Sequence, residues 1–170
     1  MNWEAIGAIG ETVGAIGVIG TLLYLAIQVR ASTAATETEN RVAVANGYRE
    51  ILTLNLDSEL ARAFRVGLRD YPDVPFDSRV KFANLCGHET LLFQSVFAQY
   101  EAGQLDPETY ESYLSWFASV ISTPGGSNFW EEMRPVYVSR MVKEVDRRIA
   151  EGGVYDICNL PQFGRPDDDT

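Results

Sequence analysis

Apolar positions run without a single charge from Thr12 to Val29, and then give way to a polar stretch in which they recur every three or four residues. The uncharged run, TVGAIGVIGTLLYLAIQV, is 18 residues long. As a helix it rises about 27 Å, close to the ~30 Å hydrocarbon core of a bilayer. Residues 5–11 lengthen it further. Trp3 lies at one end and Tyr24, Gln28 and Arg30 lie near the other, which suits interfacial anchoring. The pattern predicts one transmembrane helix within residues 1–30.

Beyond Arg30 the spacing of Val42, Ala45, Tyr48, Ile51, Leu52 and Leu56 continues as helix. Asp57 or Ser58 caps a second helix carrying the stripe Leu60, Phe64 and Leu68, and YPDVPFD is a turn. A long helix is expected from Arg79 to about Ala102. Asp106-Pro107 marks another start, with Asp as N-cap and Pro at the first helical position. TPGGSN reads as a breaker and hinge, and Asn128-x-x-Glu131 as a capping box opening the next helix. Pro135 kinks that helix or marks its true beginning. No segment reads as strand. The expected fold is all-α: a single transmembrane helix (1–30), a four- to five-helix cytoplasmic bundle (31–152) and a loosely attached acidic tail (153–170).

Charge narrows the partners. With 14 basic and 24 acidic side chains the formal charge is −10, which argues against nucleic acid, since binding to phosphates rests on Lys and Arg. Cys86 and Cys158 lack metal-ligand spacing, and His88 is the sole histidine. HETLLF has no second histidine for a zinc-protease motif, and PGG at 124–126 lacks the Gly-Lys-Ser/Thr of a phosphate loop. No GxSxG elbow is present. No metal, cofactor or catalytic residue is therefore assigned.

A cleavable signal peptide is the main rival for the amino terminus. The segment carries Glu4 and no Lys or Arg before Arg30, whereas signal peptides open with a basic region. Arg30, Arg41 and Arg49 all follow the helix. The positive-inside rule then puts the amino terminus outside and the main domain in the cytoplasm. Two unpaired cysteines fit that reducing compartment.

Gly7, Gly10, Gly14, Gly17 and Gly20 are spaced 3, 4, 3 and 3, so they share one helix face where a second helix could approach closely. This predicts a homo-oligomer. Glu11 borders that face. At headgroup depth it is a boundary marker; one turn deeper it becomes a proton or ion site, and a small oligomeric channel is the alternative function.

Glu89 falls within the apolar face Phe82, Leu85, Cys86, Phe93, Val96 and Phe97. A carboxylate there has a raised pKa or needs a partner, such as Arg134, Arg140 or a Trp indole. A membrane-tethered enzyme using Glu89 and His88 is a third reading. Ten of the 19 aromatic residues lie from Phe93 to Tyr137, in a section with no basic residue between Lys81 and Arg134. Such a section offers either core rings with solvated acids or an acidic aromatic surface for a protein partner.

Two stretches, WEAIGAIGETVGAIGV leading into LLYLAIQVR, and FQSVFAQYEAGQLDPETYESYLSWFASVISTPGGSNFWEEMRPVYVSRMVKEVD, cover about half the chain. Together, with Gly103, Asp106, the Pro124-Gly125-Gly126 turn and Trp130, they resemble a broad set of uncharacterised bacterial small membrane proteins. The resemblance implies one membrane helix plus a helical domain, and carries no activity. The expected function is thus a scaffold, sensor or interaction protein of the bacterial inner membrane, self-associating in the lipid bilayer and without enzymatic activity.

Overall fold

The computed structural model describes residues 3–54 and 56–163, with side-chain surroundings from Glu11 onward apart from positions 12, 13, 37, 54 and 162. Among the described residues all regular structure is helical. The helices are α1 (Trp3–Leu54), α2 (Ser58–Asp70), α3 (Phe76–Glu101), α4 (Pro107–Ile121), α5 (Pro124–Met133) and α6 (Ser139–Ala150). Short 3-10 turns follow α5 and lie at Ile157–Asn159 and Pro161–Phe163. The chain divides into two compact units, Met1–Glu39 and Asn40–Thr170.

The first unit is helix alone. From Gly14 to Val29 its apolar side chains stand exposed, and its polar groups are satisfied within the helix. Thr21 Oγ1 donates to the Gly17 carbonyl at 2.9 Å, and Gln28 Nε2 donates to the Tyr24 hydroxyl at 3.1 Å. Internal bonding of this kind is what a helix needs where water is absent.

In the second unit α3 packs against α2 and α4, α5 against α2 and α4, and α6 against α4. Phe93 sits at the centre of the core, stacked on Phe117 with ring centroids 4.8 Å apart. Phe117 in turn meets Trp130 edge-on at 5.8 Å, and the Trp130 indole N–H donates to Asp146 Oδ1 at 2.8 Å. Asp57 caps α2, accepting from the backbone N–H groups of Glu59 and Leu60 at 2.9 and 3.0 Å. Asp106 caps α4 with Pro107 in its first turn, as the sequence predicts. At the end of α3, Gly103 takes φ +68°, a left-handed conformation that lets its N–H reach the Tyr100 carbonyl at 2.9 Å.

Several local expectations are revised. The stripe that α1 buries in the second unit is Val44, Tyr48 and Ile51; Val42, Leu52 and Leu56 are exposed. Periodicity alone placed all of these positions in one helical series, and packing chose among them. α3 starts at Phe76 rather than Arg79, directly after Pro75. The Pro124-Gly125-Gly126 turn is no hinge: it is the first turn of α5. Thr123 is the cap, accepting from the Gly126 N–H at 3.1 Å, while Asn128 lies inside the helix and donates to the Tyr71 carbonyl at 2.9 Å. The prolyl φ suits a first helical position, and glycine lets the turn enter a crowded interface. Thr123→Ala should cost about 1–2 kcal/mol, read as a lower urea midpoint; an unchanged midpoint would refute the cap.

Residues 153–163 also depart from a loose tail. Ile157 is 1 % exposed and joins the core. The Tyr155 N–H donates to Ser119 Oγ at 2.8 Å, and Arg69 donates to the Cys158 carbonyl at 2.5 Å. Apolar Ile157, Leu160 and Phe163 drive this docking. The acidic end, 164–170, lies outside the described residues.

Candidate functional site

The glycine positions come first. A Cβ built at Gly14, Gly17 or Gly20 meets no atom within 4 Å, so this face is open along the helix. The surroundings of Gly7 and Gly10 lie outside the described residues. Glu11 is exposed.

Glu89 is where the structure adds most. It is 4 % exposed, as its place on the apolar face of α3 predicts, yet it lines a cavity of about 450 Å³. α1 supplies Tyr48 and Ile51 to the walls, α2 supplies Phe64, and α4 supplies Ser112, Tyr113 and Trp116. Phe163, from the docked carboxyl segment, closes one side. The rings brace one another: Tyr48 stacks on Tyr113 at 4.4 Å, and Phe163 touches both Phe64 at 6.1 Å and Trp116 at 6.3 Å.

Inside this apolar lining two polar atoms are buried without a hydrogen-bond partner, Glu89 Oε2 and the Tyr48 hydroxyl. Burial pushes the Glu89 carboxyl up from 4.5 to about 7, with the Trp116 indole pulling the other way. Of the partners foreseen for Glu89, only a Trp indole, that of Trp116, stands beside it in the cavity lining. Arg134 instead bridges Asp146 at 3.3 Å and Arg140 bridges Glu101 at 2.8 Å. Cys86, on the same face, is buried, and its thiol is raised well above its ordinary value by that burial and by Glu89. A thiol so shielded is a poor nucleophile.

His88 is exposed and lines a different recess, of about 360 Å³, with Gly87, Leu91 and Tyr137. Successive helical positions diverge by about 100°, so Glu89 and His88 open into separate spaces. Among the described residues no three of His, Cys, Asp and Glu converge as a metal shell would require.

The acidic aromatic section is largely inward. Phe93, Phe97, Tyr110, Phe117, Phe129 and Trp130 are core residues. Four of its carboxylates are held by groups from elsewhere: Asp106 by Arg41 at 3.0 Å, Glu101 by Arg140, Glu111 by Arg148, and Glu132 by the Tyr71 hydroxyl at 2.6 Å. Glu108 and Glu131 are exposed.

Sequence reasoning singled out Glu89 and offered a Trp indole beside it without saying which, but missed Tyr48, Tyr113 and Phe163 as its neighbours. They come from three distant segments, and only the carboxylate itself, placed on an apolar face, signalled that something polar lay inside. No protein-family model, no curated protein and no solved structure matches this chain.

Proposed function

We propose that this is a single-pass protein of the bacterial inner membrane, with its amino terminus outside and its helical domain in the cytoplasm. It self-associates through the glycine face of α1 and serves as a scaffold or sensor without enzymatic activity. One observation carries the anchoring. From Ile16 to Val29 the large apolar side chains of α1 are 48–67 % exposed and point to all sides of the helix. A single partner face could cover only one stripe of such a helix, whereas lipid covers every side.

Orientation draws support from Arg30, Arg41 and Arg49, all on the carboxyl side of the apolar run. Self-association draws support from the open positions Gly14, Gly17 and Gly20, where a second helix could reach the backbone. The resemblance to small bacterial membrane proteins points the same way. The separation of Glu89 from His88 supports a binding role over a catalytic one.

Gly14→Ile fills the groove without adding charge. It should lower the oligomer fraction severalfold when the detergent-extracted protein is sized beside the wild type. An unchanged profile would remove self-association through this face.

A further inference from the structure

We infer that the cavity around Glu89 is a binding site for a lipophilic organic amine, taken up as its protonated cation with the ammonium N–H directed at the Glu89 carboxylate. The site lies wholly within the second compact unit, so it goes beyond the anchoring proposed above and stands independently of it.

The volume, about 450 Å³, falls in the range of small-molecule sites, roughly 300–1,000 Å³. The Glu89 side chain lines this space, and its Oε2 is buried with no hydrogen-bond donor from the protein. The arginines that could have neutralised it are engaged with Asp146, Glu101, Asp106 and Glu111. What the site lacks is therefore a donor bearing positive charge. Around the cavity stand the rings of Tyr48, Tyr113, Trp116, Phe64 and Phe163. Aromatic rings attract a cation through their quadrupole, most strongly when water is excluded. An apolar body attached to the cation gains from the same walls. A carboxylic acid ligand would instead meet Glu89 with like charge, and a neutral hydrocarbon would leave Oε2 and the Tyr48 hydroxyl unsatisfied.

The titratable groups facing Glu89 are Tyr48 from α1, Cys86 from α3 and Tyr113 from α4; α2 and the carboxyl segment present Phe64 and Phe163. None of these is cationic. Glu89 alone then sets the charge of the site between pH 6 and 8. An amine protonated throughout that range should bind roughly tenfold more weakly at pH 6 than at pH 8, following the ionised fraction of a group near 7.

The full-length protein in dodecyl maltoside micelles is titrated with N,N-dimethylphenethylamine, with protein-free micelles as reference, and binding is followed by ligand-observed NMR. Saturable binding is expected. It should weaken at least tenfold in Glu89→Gln and disappear in Ser112→Trp, which fills the mouth from an exposed position on α4. The carbon isostere, with CH in place of nitrogen, and hydrocinnamic acid should bind at least tenfold less tightly than the amine. Absence of saturable binding to the wild type would overturn the inference. So would equal affinity for Glu89→Gln, or an isostere or acid that binds as tightly as the amine.

Discussion

Gly125→Ala is expected to destabilise the helical domain by about 3 kcal/mol or more, a large share of the ~5–15 kcal/mol that holds a typical domain together. A Cβ at this position would overlap the Gly67 carbonyl oxygen and lie 2.9 Å from the Gly67 carbonyl carbon and 3.1 Å from the Leu68 carbonyl carbon. All three are backbone atoms in α2, which cannot rotate aside as a side chain does. Relief requires α5 to move away from α2, and that opens the core beside Phe82, whose ring already fills the space at Gly67. The gain in helix propensity from Gly to Ala, about 1 kcal/mol, does not offset this. Gly87→Ala provides the contrast. A Cβ there meets nothing within 4 Å in the middle of α3, so the same substitution should stabilise by about 0.5–1 kcal/mol. Urea denaturation followed by circular dichroism separates the two. If Gly125→Ala proves as stable as Gly87→Ala, the close approach of α2 and α5 is wrong.

Stability should also fall as pH rises through the neutral range because of Glu89. Its folded value, about 7, stands above the unfolded 4.5. Between those values the folded carboxyl keeps a proton that the unfolded chain has released, so raising the pH favours unfolding. The contribution is fully present below about pH 4.5 and is lost as pH passes 7. Over that window, from 4.5 to about 7, it amounts to about 3 kcal/mol, at about 1.36 kcal/mol for each tenfold change in proton concentration. Glu89→Gln removes the titration while keeping the shape. The variant should gain on the wild type from pH 5 to pH 8 by an amount approaching that figure, with little advantage at pH 5. Other carboxylates act equally in both proteins, so the difference isolates Glu89. Parallel stability profiles across pH 5–8 would show that it ionises freely in the folded state.

Both effects depend on atoms brought together from distant segments, and here sequence and structure divide. The helical class, the start of α4 at Asp106-Pro107 and the cap of α2 at Asp57 were legible because caps and periodicity act within a few residues. The long uncharged run of α1 was equally plain. The burial of Glu89 could be read from its spacing with Phe82, Leu85 and Phe93. By contrast, the Pro124-Gly125-Gly126 turn reads locally as a breaker. Its helical start and its glycines make sense only once Gly67 is seen against it.

By itself, then, the sequence determined that this protein is all-helical, that one segment is long and apolar enough to cross a membrane, and that a carboxyl lies on an apolar face. These follow from interactions a few residues apart. Tertiary structure decided that Val44, Tyr48 and Ile51 turn inward, that Phe163 docks, and that Glu89 borders a cavity. Each of these depends on which surfaces meet across α1, α2 and α4, and a pattern along the chain does not record the shape of the space left between them.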